Sequence, residues 1–381
     1  MNNPIFEIEQ KYGQSIWMDN LSRDLIVSGD LQKMIESRGI EGITSNPAIF
    51  EKAIAGNQIY DHDIESGSKA GLSTLEIYES LVFEDITNAC KIFYPIYENT
   101  EGLDGYVSLE VPPTISSDTN STISEAKRYF STLKQKNLMI KIPGTPEGLP
   151  AVTEVISSGI NVNVTLLFSV DSYVDTAWAY IKGLELRAER GEPIDNISSV
   201  ASFFLSRIDT NIDNRLDALL KAGVDEATET KIISLKGKIA VANAKVAYQK
   251  YKEIFSSERW LALAAKGARK QRLLWASTGA KNPNYSDVMY VDELIGADTV
   301  NTLPPQTIEA CSDHCSPGNR IESDLDQAYQ YIEALKDPAI NIDLDSVMAE
   351  LLQNGIDLFV KPFGSLMNSI ETKVKQLTPT I

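Results

Sequence analysis

The chain has 381 residues, 43% of them hydrophobic, a length that allows either one large domain or two of ordinary size. Its 35 Lys and Arg against 53 Asp and Glu give a formal net charge of −18, so the chain as a whole repels nucleic acids and anionic membrane surfaces. The sequence has neither a long apolar segment nor the basic and apolar regions of a signal peptide. We therefore expect a cytoplasmic globular protein that binds neither nucleic acid nor membrane.

Eight short apolar segments have the character of buried strands that end in turn-forming residues. In chain order they occupy residues 15–20, 42–47, 105–113, 138–144, 161–169, 199–204, 272–278 and 298–305. Amphipathic helical patterns separate them, and several of these patterns end at glycine. Alternation of this kind is typical of parallel βαβ units, and eight strands predict an α/β fold closed into a (β/α)₈ or TIM barrel.

Two connections, residues 48–104 and 205–271, are longer than a minimal βαβ unit and carry helical patterns. We interpret both as helical insertions on the barrel, because no linker rich in Pro, Gly or Ser flanks them. After the eighth strand, helices are predicted at 323–337 and 345–377, packed back over the barrel. The sequence thus predicts a single domain over residues 1–381.

Cys311, His314 and Cys315 lie within five residues of one another. Their spacing differs from C-x-x-C and no fourth ligand is evident, so a thiol pair on a helical turn or loop is favoured over a metal site, and a redox contact stays open. No Gly-x-Gly-x-x-Gly follows a predicted strand, and the chain has only two histidines. We expect no metal and no nucleotide cofactor.

Polar residues follow the predicted strands at their carboxyl ends, where a barrel of this kind carries its active site. In residues 138–142 the alternation places Lys141 inside the barrel and the aliphatic residues against the helices. The corresponding positions of the other strands are all polar: Asp19, Asn46, Glu110, Asn163 with Thr165, Ser202 and Ser277. A barrel interior built only for stability favours Val, Ile and Leu, so this polar ring predicts a catalytic pocket.

Position alone leaves two interpretations of Lys141 open. A deprotonated lysine amine attacks a ketone and forms a Schiff base, whose iminium withdraws electrons from the neighbouring carbon–carbon bond. Alternatively, the side chain extends to solvent or forms a buried ion pair with Asp19 or Glu110. In the same way, Asn46 before Pro47 is compatible with a simple turn residue as well as with a substrate contact.

Six motifs together resemble the transaldolase family and occur in the family's order. They are "IWMDNLSRDLI", "TSNPAIF", "VSLEVPP", "IKIPGTPEGLPA", "NVTLLFS" and "SFFLSRID". The resemblance runs from about Ile16 to about Leu303, and the length is that of the longer bacterial type. It implies a member of the class I Schiff-base aldolases that works without a cofactor, within the non-oxidative pentose phosphate pathway.

The resemblance implies a catalytic role for four residues. Lys141 would form the Schiff base with the ketone carbon of fructose 6-phosphate or sedoheptulose 7-phosphate. Asp19 would handle the proton of the C4 hydroxyl, so that cleavage leaves a dihydroxyacetone carbanion for transfer to glyceraldehyde 3-phosphate or erythrose 4-phosphate. Glu110, assisted by Thr165 and a water molecule, would shuttle protons while the carbinolamine forms and breaks down.

The resemblance also implies substrate contacts. Asn46, Asn163 and Ser202 would hydrogen-bond the hydroxyls of the three-carbon unit, although Asn163 is also compatible with a strand-end cap. For Asn46 we favour the substrate contact, because the loop after the second strand opens onto the active-site face. Phe204, where related sugar-phosphate aldolases tend to carry tyrosine, favours transfer over release of free dihydroxyacetone.

The substrate's phosphate would bind to cations at the rim. Arg207 matches the family's phosphate-binding arginine, and Ser277 is in place, but the second arginine of the shorter members is missing and Lys281 is predicted to replace it. Two alternatives stay open: an aldolase that releases dihydroxyacetone, and a non-catalytic barrel that binds sugar phosphates. The sequence does not distinguish a monomer from a homodimer.

Overall fold

Eight parallel strands close into a barrel in the structure, a computed structural model that describes residues 3–377. The strands are β1 (Gln14–Asp19), β2 (Gly42–Thr44), β3 (Val107–Glu110), β4 (Leu138–Pro143), β5 (Asn161–Leu167), β6 (Ser199–Phe204), β7 (Arg272–Ala276) and β8 (Thr299–Leu303). Each strand pairs with the next in sequence, and β8 returns to pair with β1. The predicted (β/α)₈ barrel is confirmed.

Helices surround the barrel and fill the two long connections. They are α1 (Pro4–Tyr12), α2 (Arg23–Val27), α3 (Asp30–Arg38), α4 (Pro47–Ile54), α5 (Asp61–Lys69), α6 (Thr74–Asn99), α7 (Thr119–Leu133), α8 (Gly148–Ser157), α9 (Val170–Glu189), α10 (Ser206–Ala222), α11 (Glu226–Leu235), α12 (Ile239–Ile254), α13 (Glu258–Ala264), α14 (Met289–Asp292), α15 (Pro305–His314), α16 (Leu325–Ala334) and α17 (Leu344–Leu377). Short 3₁₀ turns occur at Gln58–Tyr60 and Pro113–Ile115. The long connections therefore consist of α4 to α6 and α10 to α13, as helical insertions.

The second strand is only three residues long, because the chain turns into α4 directly after it. The Asn46 side chain accepts a hydrogen bond from Ile49 N, and Pro47 occupies the first turn of the helix. An Asx cap followed by proline is a strong helix start. Asn46 thus stands at the junction between the barrel and α4.

The last helix, α17, is 34 residues long and includes Pro362. It packs against α4, α5, α6 and α10, and it also contacts β5. The predicted return of the C-terminal helices over the barrel is confirmed, and it brings residues from the end of the chain to the carboxyl ends of the strands.

The amino ends of the strands carry a buried ion pair between Asp104 and Arg272, surrounded by Ser15 and Trp17. We call these four residues the barrel floor. Arg272 donates to both carboxylate oxygens of Asp104, the nearer at 2.9 Å, and to Ser15 Oγ at 2.7 Å. Trp17 Nε1 and Ser15 Oγ donate to the same carboxylate at 2.8 and 2.7 Å. Each charge is therefore surrounded by hydrogen-bond partners, as burial of an ion pair requires.

A disulfide joins Cys311 and Cys315 at the carboxyl end of α15. The contact between these thiols, which the sequence left open, is thus present as a covalent bond. Within residues 3–377 there is no group of three or more His, Cys, Asp or Glu arranged to hold a metal ion. In the same part of the chain, no helix is both long enough and apolar enough to span a bilayer.

Candidate active site

A cavity of about 600 Å³ opens at the carboxyl ends of the strands, and we call it the barrel mouth. Nine of the eleven site residues that the sequence predicts line it: Asp19, Asn46, Lys141, Thr165, Ser202, Phe204, Arg207, Ser277 and Lys281. The other two, Glu110 and Asn163, are buried and stand behind this lining layer. The polar ring predicted from strand alternation therefore converges on one cavity.

Lys141 projects from β4 into the barrel and is 4% exposed. Its Nζ donates to the carbonyl of Ser45 at 2.9 Å, and the Glu110 carboxylate lies 3.6 Å away, beyond hydrogen-bond distance. The two residues are register partners on β3 and β4. The amine is thus held by one backbone contact beside a carboxyl group, with no tight ion pair.

Glu110 is a buried carboxyl group with unused hydrogen-bonding capacity. Burial raises the pKa of Glu110 to about 7; Lys141 lowers this value and Asp19 adds to it. Both Glu110 oxygens, and the buried hydroxyl of Thr165, lack a hydrogen-bond partner among the residues the structure describes. A carboxyl group with this pKa both donates and accepts protons near neutral pH.

Asp19 ends β1 on the opposite side of the cavity from β5. Its carboxylate accepts a hydrogen bond from Thr44 Oγ1 at 2.8 Å, and Thr44 Oγ1 lies 2.8 Å from Thr302 Oγ1. Burial raises the pKa of Asp19, and Lys141, Thr44 and the cations at the rim oppose the increase. The result is a carboxylate that is more basic than an exposed aspartate.

Asn163 and Ser202 are joined by a hydrogen bond. Ser202 Oγ donates to Asn163 Oδ1 at 2.7 Å, and Asn163 Nδ2 donates to Ser108 Oγ at 3.1 Å. Ser202 lines the cavity, whereas Asn163 is fully buried. Asn46 lines the cavity while its Oδ1 caps α4, so the turn role and a position at the barrel mouth coexist in one side chain.

The rim carries two cations and a serine with unusual backbone geometry. The Arg207 guanidinium, at the start of α10, stacks 5.3 Å from the Phe204 ring, and its Nη1 is buried without a hydrogen-bond partner among residues 3–377. Burial lowers the pKa of Arg207. Ser277 follows β7 with φ +55° and lies 2.9 Å from Ser206 Oγ, and exposed Lys281 completes the rim.

Two further residues at the barrel mouth, Phe359 of α17 and Thr44 of β2, are not predicted from the sequence. The Phe359 ring lines the cavity, is 4% exposed and has its centroid 5.8 Å from Lys141 Nζ. It was missed because nothing in a helical pattern indicates which residue reaches an active site far along the chain. Thr44 lies two residues before Asn46, so the alternation of the strand could have placed both side chains on the same face.

Comparisons with known proteins match the whole chain. The sequence profile of the family described as transaldolase/fructose-6-phosphate aldolase matches residues 16–370. A transaldolase of Trichodesmium erythraeum is 67% identical over 100% of both chains, and transaldolase 2 of a Nostoc species (strain PCC 7120) is 65% identical over 99% of both. A transaldolase of Thiobacillus denitrificans is 44% identical, over 94% of this chain and 98% of its own. The similarity includes the barrel and most of α17.

Proposed function

Because the chain belongs to the transaldolase/fructose-6-phosphate aldolase family, we propose that it is a transaldolase whose Schiff base forms on Lys141. It transfers a dihydroxyacetone unit from sedoheptulose 7-phosphate or fructose 6-phosphate to glyceraldehyde 3-phosphate or erythrose 4-phosphate. The observation that carries the proposal is a buried lysine in the cavity with a carboxyl group of pKa about 7 only 3.6 Å away.

Schiff-base formation needs one group that both gives and takes a proton. The Lys141 amine attacks the ketone carbon, and the resulting carbinolamine loses its hydroxyl as water when Glu110 supplies a proton. Thr165, whose hydroxyl is buried and unpaired among the described residues, orients that water. Glu110 recovers its proton when water later attacks the iminium, so the carboxyl ends the cycle unchanged.

Carbon–carbon cleavage uses the iminium as an electron sink. Asp19 takes the proton of the C4 hydroxyl, the C3–C4 bond breaks, and its electron pair moves into the iminium to give an enamine on Lys141. The aldehyde formed from C4 departs, and an acceptor aldehyde reverses the same steps with Asp19 returning its proton. The raised pKa of Asp19 supports its role as the base.

The substrate is held at two places. Asn46 and Ser202 bind hydroxyls of the three-carbon unit, with Asn163 holding Ser202 in place through their 2.7 Å hydrogen bond. At the rim, Arg207, Ser277 and Lys281 bind the phosphate, and the unpaired Nη1 of Arg207 is the donor best placed for it. This phosphate anchor fixes the distance from the rim to the reacting carbons.

Transfer is favoured over release because the two aromatic side chains beside the enamine carry no proton donor. Phe204 supplies a ring without a hydroxyl, and Phe359 covers the side of Lys141 that faces α17. An enamine protonated at carbon would leave as free dihydroxyacetone, so the aromatic wall preserves it for an aldehyde.

Reduction of the protein with borohydride in the presence of fructose 6-phosphate tests the proposal. We expect a reduced three-carbon adduct on Lys141, located by peptide mass spectrometry. The Lys141→Met variant should form no adduct under the same conditions. The Lys52→Met variant, altered at another lysine of the cavity, serves as the matched control and should still form the adduct.

Three outcomes separate the candidates. An adduct on Lys141 together with transfer to erythrose 4-phosphate supports the transaldolase. An adduct with release of dihydroxyacetone and no transfer would indicate the aldolase. Binding of sugar phosphate to folded protein without any adduct would overturn the proposal in favour of a non-catalytic barrel.

A further inference from the structure

A second cavity, of about 450 Å³, lies outside the barrel. Its walls come from residues 236–245 at the start of α12, from residues 284–293 and from residues 324–331, which are mostly α16. None of its lining residues lines the barrel mouth. We call this cavity the outer pocket, and it takes no part in the chemistry proposed above.

Three lysines line the outer pocket in a chain whose net charge is −18: Lys236, Lys238 and Lys245. The Lys245 side chain is 6% exposed; its Nζ donates to Ser323 O at 3.0 Å, and the Glu293 carboxylate is 3.7 Å away. An ammonium has three N–H donors, so Lys245 retains donors for a ligand. A buried cation loses its hydration, and a bound anion would offset the free energy of this desolvation.

The other two lysines differ in their partners. Lys236 is bonded to Asp217 at 2.6 Å, and Lys238 is exposed and forms no ion pair among the residues described. Two carboxylates, Glu293 and Asp324, also line the pocket, and with Asp217 they balance the charges of the three lysines. Carboxylates next to lysines suit a ligand that carries hydroxyl donors as well as negative charge.

The remaining wall is apolar and aromatic. It is formed by Val241, Ala242, Met289, Tyr285 and Tyr331. An inorganic anion or an aliphatic sugar phosphate would leave this wall uncovered, whereas a flat heterocycle would cover it. We therefore propose that the outer pocket binds a nucleoside phosphate, with the phosphate at the lysines, the sugar hydroxyls at the carboxylates and the base against the tyrosines.

The pocket is pre-formed by contacts between its own walls. Asp213 of α10 accepts hydrogen bonds from Gly237 N at 3.0 Å and from Tyr285 Oη at 2.5 Å, which ties two walls together. Gly237 has φ +67°, and a Cβ there would lie 2.7 Å from the Tyr285 ring. Glycine is therefore required for this close approach, and the site pays little ordering entropy on binding.

Isothermal titration calorimetry with ADP tests the proposal. It measures binding only, so its result does not depend on transaldolase activity. We expect one ADP per chain, with affinity reduced at least tenfold in Lys238→Ala and in Lys245→Met. Lys182→Ala, an exposed lysine of α9 outside the pocket, should bind within twofold of the unchanged protein. Adenosine and inorganic phosphate should each bind at least tenfold more weakly than ADP.

Arg207→Ala distinguishes the outer pocket from the barrel mouth, because the arginine lines only the latter. Its ADP affinity should be unchanged. Loss of ADP binding in Arg207→Ala with retention in Lys238→Ala would place the nucleotide at the barrel mouth and overturn the proposal. Absence of ADP binding at millimolar concentration, or equal affinity for inorganic phosphate, would overturn it as well. Lys238 is exposed, so its substitution leaves folding intact even if Lys245→Met does not fold.

Discussion

The two ends of the barrel each contain a buried cation beside a carboxylate, yet they are built differently. At the barrel floor, Arg272 and Asp104 are 2.9 Å apart and further hydrogen bonds complete the pair. At the barrel mouth, Lys141 and Glu110 are 3.6 Å apart, and both Glu110 oxygens lack a partner in residues 3–377. A complete pair stabilises the fold, whereas an incomplete pair leaves groups free to react.

The sharpest test of this difference is Lys141→Met. Transfer activity should fall by a factor of at least ~10⁴, because the nucleophile is gone. The free energy of unfolding should not decrease, since the substitution removes a buried charge and Glu110 can take up a proton in response. Enzyme assays and urea unfolding measure the two effects; a large loss of stability would show that this pair is structural.

The same chemical change at the two ends gives the next largest effect. Asp104→Asn leaves Arg272 without its counter-charge and should destabilise the protein by about 3 kcal/mol. Asp19→Asn, at the barrel mouth, should change stability by less than about 1 kcal/mol, because burial already disfavours that carboxylate. Urea unfolding of both variants provides the comparison, and equal losses would contradict it.

Glu110→Gln tests the role of the incomplete pair in proton transfer. We expect kcat to fall about 10²- to 10³-fold, in the range of a lost general acid–base group. The pH profile of kcat/KM of the unchanged enzyme should show an inflection near the pKa of about 7 of Glu110, and the variant should lack it. An inflection that persists in the variant would assign it to another group.

The last prediction concerns the pH dependence of stability and a carboxyl group next to the barrel floor. Burial, together with Asp104 and Glu9, raises the pKa of Glu41 to about 9, although Arg272 opposes the increase. Between an unfolded pKa of about 4.3 and that value, the folded state holds the extra proton, so stability decreases as pH rises. Glu41→Gln should weaken this decrease between pH 5 and pH 9, as measured by thermal unfolding at several pH values. An unchanged pH dependence would refute the assignment.

The sequence was sufficient to predict the positions of those site residues that depend only on strand alternation and on parallel strands. The period of two in β4 was enough to place Lys141 inside the barrel, and parallel strands bring their carboxyl ends together. This is why nine predicted residues line one cavity. The loop predicted after the second strand is likewise set locally, because Asn46 caps α4 and this bond competes with strand pairing.

What the sequence did not predict depends on contacts between distant segments. The Asp104–Arg272 pair joins residues 168 positions apart, and no spacing rule connects them. Phe359 reaches Lys141 only because α17 packs on α4 and α10. The outer pocket likewise depends on three separate segments, whose lysines are unremarkable in the sequence.

The position of Phe359 has a consequence for how the molecule matures during synthesis. All eight strands are complete at Leu303, but the residue that covers Lys141 is made 56 positions later. When the last strand of the barrel has been synthesised, the aromatic residue that lies beside Lys141 has therefore not yet been made. Chains cut short before α17 would lack the Phe359 ring beside Lys141, so we expect them to be less active than the full chain.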